Sequence, residues 1–245
     1  MPFQSIILSI AGNVAEISLN RPHKRNAING QMGEELIAAL NLCAKDNNVN
    51  VVILMGEGKS FCAGIDIGEL SSPNKKAIHH YLEESTLNRI FQAMRSIRKP
   101  LISVTHGYTM GAGLGLAALS HFVMAAEDAK FGLPEINLGL YPLGVVSVLW
   151  QLVGPKRVLQ LGLLGDQFGV DKASELGLVD YVYPGAVLND KARELAEKLS
   201  KKGNMALLAG IDSFNVLMEE DFRKNSRLLN LMLIPFMDFK VGQGP

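Results

Sequence analysis

Cysteine is scarce: the 245-residue chain carries two, Cys43 and Cys62. Both lie in apolar surroundings without metal-ligand spacing, which argues against a disulfide framework and fits small core residues of a reduced intracellular protein. Net charge is absent, with 24 Lys plus Arg balancing 24 Asp plus Glu, so no global positive field exists to hold nucleic acid or an anionic membrane. Long hydrophobic runs are missing too. The opening MPFQSIILSI has no basic leader and is cut by Ser5 and Ser9, unlike a signal peptide. A long uncharged stretch, Ile136 to Pro155, contains Asn137, Gly139, Pro142 and Gly144, unlike a membrane span. The expected home is the cytoplasm, or an organelle reached by a signal this chain does not show. No G-x-S-x-G elbow occurs, which argues against thioester hydrolysis by a serine nucleophile. His79, His80, His106 and His121 fall in no nucleophile pattern and read as polar or core residues. No repeat of about 20 to 50 residues is visible by eye.

What is present is apolar content, 48% of the chain, enough for one large core. Ile6 to Ile10 and Val14 to Leu19 flank Gly12-Asn13 and predict a β-hairpin. Asn29 can cap a helix whose apolar positions are Met32, Leu36, Leu40 and Cys43, with Glu34 and Glu35 near its positive end. Val51 to Met55 is a fully apolar strand. Helical spacing over Ala77 to Arg98 stops at Lys99-Pro100, before a strand from Leu101 to Thr105. Gly107 to Leu116 then reads as a glycine-rich turn opening onto a short helix. Phe122 to Ala126 is another strand, and Lys130 to Gly139 a short extended segment. Val158 to Leu164, Lys172 to Leu176 and Leu188 to Leu199 are helical, with a short strand at Tyr181 to Tyr183. Strands early, helices late and alternation between them predict an α/β core with a helical C-terminal region.

Glycine-rich turns at helix starts can serve several ligands. Glycine lets backbone N–H groups approach an anion that the helix dipole also favours. Gly58-Lys59-Ser60 follows a strand as a phosphate loop would, but the first glycine of that motif falls on Ile53. Gly113-x-Gly115-x-x-Ala118 matches a relaxed dinucleotide fingerprint. It lies too far past Thr105, however, and Glu127 and Asp128 come too soon after it. Glu135 is the one charge between Lys130 and Lys156, and a carboxylate among apolar groups tends toward a raised pKa suited to proton transfer near neutrality.

Four motifs in register carry more than any one alone: LNRPHKRNAI (Leu19 to Ile28), SFCAGIDIGEL (Ser60 to Leu70), GYTMGAGLGLA from Gly107, and FGLPEINLG (Phe131 to Gly139). With the later GPKRVLQLGLLGDQF and ASELGLVDYVYP segments they resemble the crotonase superfamily, the enoyl-CoA hydratases and isomerases, over about Ile6 to Leu199. The resemblance implies an α/β fold, a crotonase-like spiral of β-β-α units over residues 1–185 with a helical trimerisation region over 186–245. It implies a homotrimer or a dimer of trimers. The implied substrate is an acyl-CoA, with coenzyme A as part of that substrate and no other cofactor, metal, nucleic acid or membrane partner.

Residue by residue, the resemblance assigns the oxyanion hole to the N–H groups of Ile65, after Ala63-Gly64, and of Ala112, inside Gly111-Ala112-Gly113. Removing a proton beside a thioester, or adding water to its enoyl form, puts negative charge on the carbonyl oxygen. Each preorganised donor in such a hole is worth about 2.7 to 4 kcal/mol. Because the donors are backbone groups, the side chains at 65 and 112 are free to vary. Glu135 is implied as the acid or base, a role worth about 100- to 10,000-fold. His23, Lys24 and Arg25 are implied at the CoA phosphates. Ala63, Gly64, Asp66, Ile67, Tyr108, Gly111, Pro134, Leu140 and Leu143 are implied along the rest of the CoA thioester.

Three positions depart from the family pattern. His23 stands where lysine is frequent, and Leu143 follows Pro142 where hydratases commonly have glycine. Gly115 stands where classical hydratases carry a second glutamate. Two carboxylates can hold and activate one water between them, whereas one suffices to carry a proton between C2 and C4 of a 3-enoyl thioester. Hydration of a 2-enoyl-CoA and isomerisation of a 3-enoyl-CoA both stay open, as does a non-catalytic acyl-CoA binder.

Overall fold

The strands of the chain form two sheets of unequal size in a computed structural model that describes residues 3–70, 86–203 and 205–218. In the larger sheet β1 (Ile6–Ala11) and β2 (Val14–Leu19) make the expected hairpin, turning at Gly12 with φ 58°. β3 (Val51–Gly56), β4 (Leu101–Thr105), β6 (Phe122–Ala126) and β9 (Tyr181–Tyr183) extend it in parallel, giving the order β1-β2-β3-β4-β6-β9. The smaller sheet has the order β5-β7-β8, from Tyr108–Met110, Lys130–Gly132 and Gln167–Gly169.

Both faces of the central parallel strands are covered, so β3 is apolar from Val51 to Met55 and β4 is buried along its whole length, Ser103 and Thr105 included. Val52, Leu54 and Leu101 share one core with Met32, Leu36, Leu40 and Cys43 of α1 (Gly30–Lys45). Val51, Ile53, Met55, Ile102 and Val104 face the other way, against Leu188, Ala192 and Ala196 of a late helix, Gly185–Ser200. Asn29 caps α1 by accepting the Met32 N–H at 2.9 Å. Glu34 and Glu35 lie beyond the first turn of α1. Glu34 binds Arg89 and Glu35 accepts the Ser5 N–H at 2.7 Å, so both tether α1 to neighbouring segments. Cys43 and Cys62 are buried, and burial pushes their thiols up to about 11 and about 12, as suits inert core residues.

Three times the chain passes from the large sheet to the small one and on to a helix. β3 leads to Cys62, bridged to Thr109, and then to α2 (Ile67–Leu70). After α3 (Thr86–Arg95), β4 leads to β5 and α4 (Ala112–Ala118); β6 leads to β7 and a 3-10 helix, Pro134–Leu138. These are the β-β-α units of the spiral. The crossing from β4 to β5 turns at Gly107, φ 52°, where any Cβ would strike the Lys59 carbonyl.

Several expectations are corrected. Tyr108–Met110 is a strand rather than part of a turn, because its partner, β7, is remote in sequence. Lys130 to Gly139 is not one extended segment: Pro134 suits the first helical position and Gly139 closes the 3-10 turn at φ 76°. A helix, α5 (Leu143–Val153), forms where none was expected, since an all-round apolar helix lacks the polar face that reveals helical spacing. It is followed by α6 (Pro155–Leu164), α7 (Val170–Glu175), α8 (Gly185–Ser200) and α9 (205–218). The helix expected over Ala77 to Arg98 is described from Thr86 only. His79, His80 and the chain beyond residue 218 lie outside the described residues. No helix among the described residues is long and apolar enough to cross a membrane.

Candidate active site

Register brings the three motif loops to one edge of the small sheet. Cys62 bridges Thr109 in parallel, and Thr109 pairs with Phe131 in parallel, so the three residues stand abreast. Three positions further along these segments stand Ile65, Ala112 and Pro134, with Glu135 next. Backbone bonds hold the loops there: Met110 N–H to Cys62 O and Gly111 N–H to Gly132 O, both at 2.9 Å. A side chain on Gly64 would come 3.2 Å from the Met110 carbonyl and 3.6 Å from the Ala112 nitrogen, which fixes how closely the two loops pack.

Two N–H groups remain unengaged at this edge. Ile65 forms a parallel bridge with Ile28, made by Ile28 N–H to Gly64 O (2.7 Å) and Asp66 N–H to Ile28 O (2.8 Å). In that pattern the central residue, Ile65, points its own N–H away from the partner. Ala112 is the first residue of α4 and has no carbonyl one turn back within the helix. Among the described residues neither N–H donates to a loop or turn carbonyl.

The Glu135 side chain reaches Gly111, the residue before Ala112. Gly111 holds φ 49°, which favours glycine, and any Cβ there would displace the Glu135 carboxylate. Glu135 Oε2 is buried and has no hydrogen-bond partner among the described residues. Burial raises the carboxyl from its ordinary 4.5 to about 7, a rise only partly offset by its own backbone N–H. Such a group holds or releases a proton near neutrality, and its Oε2 is free to take one.

The remaining expected residues divide into those at the edge and those beside it. Pro134 opens the 3-10 helix, Leu140 donates its N–H to Glu135 O at 3.1 Å, and Leu143 is buried at the start of α5. Ala63 donates its N–H to Arg25 O at 2.9 Å, joining the first motif to the second. His23 and Lys24 are exposed on a 3-10 helix, Pro22–Lys24, and Ile67 is exposed at the start of α2. The Arg25 guanidinium lies 5.0 Å from the centre of the Tyr108 ring, a cation–π contact that aligns the basic segment with β5. Asp66 is engaged by Arg21 at 3.0 Å. Burial pushes its carboxyl up, but the Arg21 contact and the Gly68 N–H outweigh that and hold it below the usual carboxylate range. His121 is a core residue: burial pushes it down to about 4, and its Nδ1 accepts the Leu101 N–H.

Three supporting residues were not singled out by sequence reasoning. Arg21 also donates to Ala27 O at 2.6 Å and so ties both ends of its own loop to Asp66, next to Ile65. Asn26 is fully buried in the left-handed region, and its side-chain amide donates to Glu57 O and Ser60 O. Asparagine's tolerance of that backbone conformation was the available signal. Phe91 of α3 packs against Gly115 of α4, a contact no spacing rule reveals. Among the described residues no three His, Cys, Asp or Glu side chains converge to hold a metal.

Comparison with known proteins identifies the family. Residues 9–235 match the family model described as enoyl-CoA hydratase/isomerase. The chain is 33% identical over 205 residues to a 2,3-dehydroadipyl-CoA hydratase of Escherichia coli (strain K12), covering 83% of this chain and 79% of that protein. It is 35% identical over 205 residues to a probable enoyl-CoA hydratase of Bacillus subtilis (strain 168), with the same coverage of 83% and 79%. The crystal structure of a probable enoyl-CoA hydratase from Mycobacterium smegmatis superposes with a TM-score of 0.86 at 25% identity, over 96% of this chain and 97% of that one. A model match along most of the chain, relatives above 30% identity and the shared fold lead to one conclusion: the chain belongs to the enoyl-CoA hydratase/isomerase family.

Proposed function

We propose that the chain is an acyl-CoA enzyme in which the Ile65 and Ala112 N–H groups stabilise a thioester enolate while Glu135 moves the proton. The observation that carries this reading is the buried, unpartnered Glu135 Oε2 held over Gly111, one residue from the Ala112 N–H. In double-bond migration the carboxylate takes a proton from C2 of a 3-enoyl thioester, and the electron pair moves onto the carbonyl oxygen. A proton then returns to C4, leaving the 2-enoyl thioester with nothing added or lost. In hydration the hydroxyl of water bonds to C3 and a proton to C2. The hydratase names of the relatives support water addition; glycine at 115 supports the reaction that needs one proton carrier.

His23, Lys24 and Arg25 meet the CoA phosphates in this reading, and coenzyme A enters as part of the substrate with no further cofactor. The homotrimer or dimer of trimers belongs to the same reading. Exposed Leu159, Leu163 and Leu164 on α6 and Met205, Val216 and Leu217 on α9 offer apolar surface for such an assembly. The functional test is an enoyl-CoA panel followed by enoyl absorbance and product mass. One arm is Glu135→Gln, expected to abolish turnover while CoA-thioester binding persists; an undiminished rate removes Glu135 from the reaction. A second reading, a non-catalytic acyl-CoA binder, is favoured by the single carboxylate. It predicts no solvent deuterium at C2 of a bound saturated acyl-CoA, whereas the enzyme reading expects exchange.

A further inference from the structure

Gly111 and Gly115 stand one turn apart on α4, joined by the Gly115 N–H to Gly111 O bond at 3.1 Å. At Gly111 a side chain is excluded by the Glu135 carboxylate. At Gly115 it is excluded by a phenyl ring: an added Cβ would stand 2.5 Å from Phe91 Cζ and 3.2 Å from one Cε, inside van der Waals contact. The ring has little room to retreat. Phe91 is fully buried, flanked on α3 by fully buried Ile90 and by Met94, and α3 is itself pressed on α1 where a Cβ on Gly33 would strike Thr86. The second carboxylate is therefore not simply missing at 115; the space its stem would need is filled from another helix.

We propose that Phe91 is a specificity-determining residue, whose ring keeps position 115 free of side chains and makes the wall one turn from Gly111, where the Glu135 carboxylate rests, hydrocarbon instead of carboxylate. The inference rests on the acyl-CoA reading above. With one proton carrier and no second group to orient a water, relocation of a proton within a bound enoyl thioester is favoured over addition of water to it.

The test compares hydration of a short 2-enoyl-CoA with isomerisation of the matching 3-enoyl-CoA, using the full chain and Gly115→Glu, Phe91→Leu and Phe91→Ala/Gly115→Glu variants. Gly115→Glu alone is expected to lower the thermal midpoint and gain no hydration. The double variant is expected to raise the hydration-to-isomerisation ratio about tenfold or more, within the range of a placed acid–base group. Phe91→Leu, which keeps a hydrocarbon core side chain and adds no carboxylate, is expected to leave the ratio unchanged. Hydration gained equally by Gly115→Glu alone, or an unchanged ratio in the folded double variant, overturns the proposal. If the double variant does not fold, Gly115→Ala keeps the question open to test. It should lower the thermal midpoint, and Phe91→Leu in the same chain should restore part of the loss; Gly115→Ala as stable as the parent overturns the proposal. Glu135→Gln is run alongside on C2 deuterium exchange. Persistent exchange there removes Glu135 as the proton carrier, and a parent chain that neither exchanges C2 nor turns over any enoyl-CoA refutes the acyl-CoA reading itself, independently of any result at Phe91.

Discussion

The Glu135 edge and the basic segment before it hold their polar groups in opposite ways. At the Glu135 edge the donors are backbone N–H groups fixed by strand register, and the carboxylate is buried without a partner. At the basic segment His23 and Lys24, on a short 3-10 helix, and Arg25, which caps it, are exposed side chains steadied by the Arg25 contact with Tyr108. The first arrangement is held by backbone bonds and partly shielded from solvent, the second is exposed and screened by salt. Chemistry needs fixed geometry where charge develops; recognition of a highly charged, flexible group does not. The Arg21–Asp66 pair lies between the two, mostly shielded from solvent, and couples the basic loop to the residue beside Ile65.

The comparison breaks most sharply at Glu135. Glu135→Gln should reduce turnover by about 100- to 10,000-fold while leaving the dissociation constant for an acyl-CoA nearly unchanged, as measured by calorimetry. The pH profile sharpens this: with the carboxyl at about 7, the rate of proton removal from C2 should fall as pH drops through that value. Stability moves the opposite way. A carboxyl raised from 4.5 in the unfolded chain to about 7 when folded contributes stability that is complete below 4.5 and is lost as pH rises to about 7. Thermal unfolding of Glu135→Gln relative to the parent should therefore gain steadily across that interval and stay level above it.

Gly111→Ala comes next. A left-handed or otherwise sparse backbone conformation costs a residue with a side chain about 1 to 3 kcal/mol, and the added methyl also displaces the carboxylate. Both the thermal midpoint and kcat should drop. Arg21→Met keeps the length of the side chain but removes the charge. It is expected to lower kcat about tenfold, equivalent to about 1.4 kcal/mol of lost positioning, with KM little changed. A rise confined to KM would place Arg21 with the basic segment instead. The smallest effect is expected at Lys24→Ala: KM should rise about two- to fivefold at low salt and the difference should fade at high ionic strength, consistent with an exposed charge worth under about 1 kcal/mol.

How much of this was legible depends on where the defining contacts lie. The hairpin, the Asn29 cap and the two-sided apolar strands at Val51 and Leu101 follow from neighbours in sequence, and they stand where local rules put them. The small sheet does not: its strands Tyr108–Met110, Lys130–Gly132 and Gln167–Gly169 are too short for any period to register and exist through pairing with remote partners. The β-β-α units begin at Val51, Leu101 and Phe122, so unevenly spaced that no sequence repeat betrays them. At the site, Glu135 was legible as a lone charge in an apolar run, and Gly115 as a departure from the family pattern. Phe91 was not, because its role is a clash with an atom that Gly115 does not possess.

The parallel alignment of Cys62, Thr109 and Phe131 has a consequence for how this site can change. Its two donors carry no identity that a codon change at 65 or 112 could erase, except by proline, which has no N–H to offer. What specifies them is a count: three residues from each strand position to the donor. Adding or removing one residue between Cys62 and Ile65, or between Thr109 and Ala112, turns the N–H away while every side chain of the motif survives. Substitutions can therefore explore new chemistry at positions such as 91, 115 and 143, whereas loop length in these two segments is the quantity held constant.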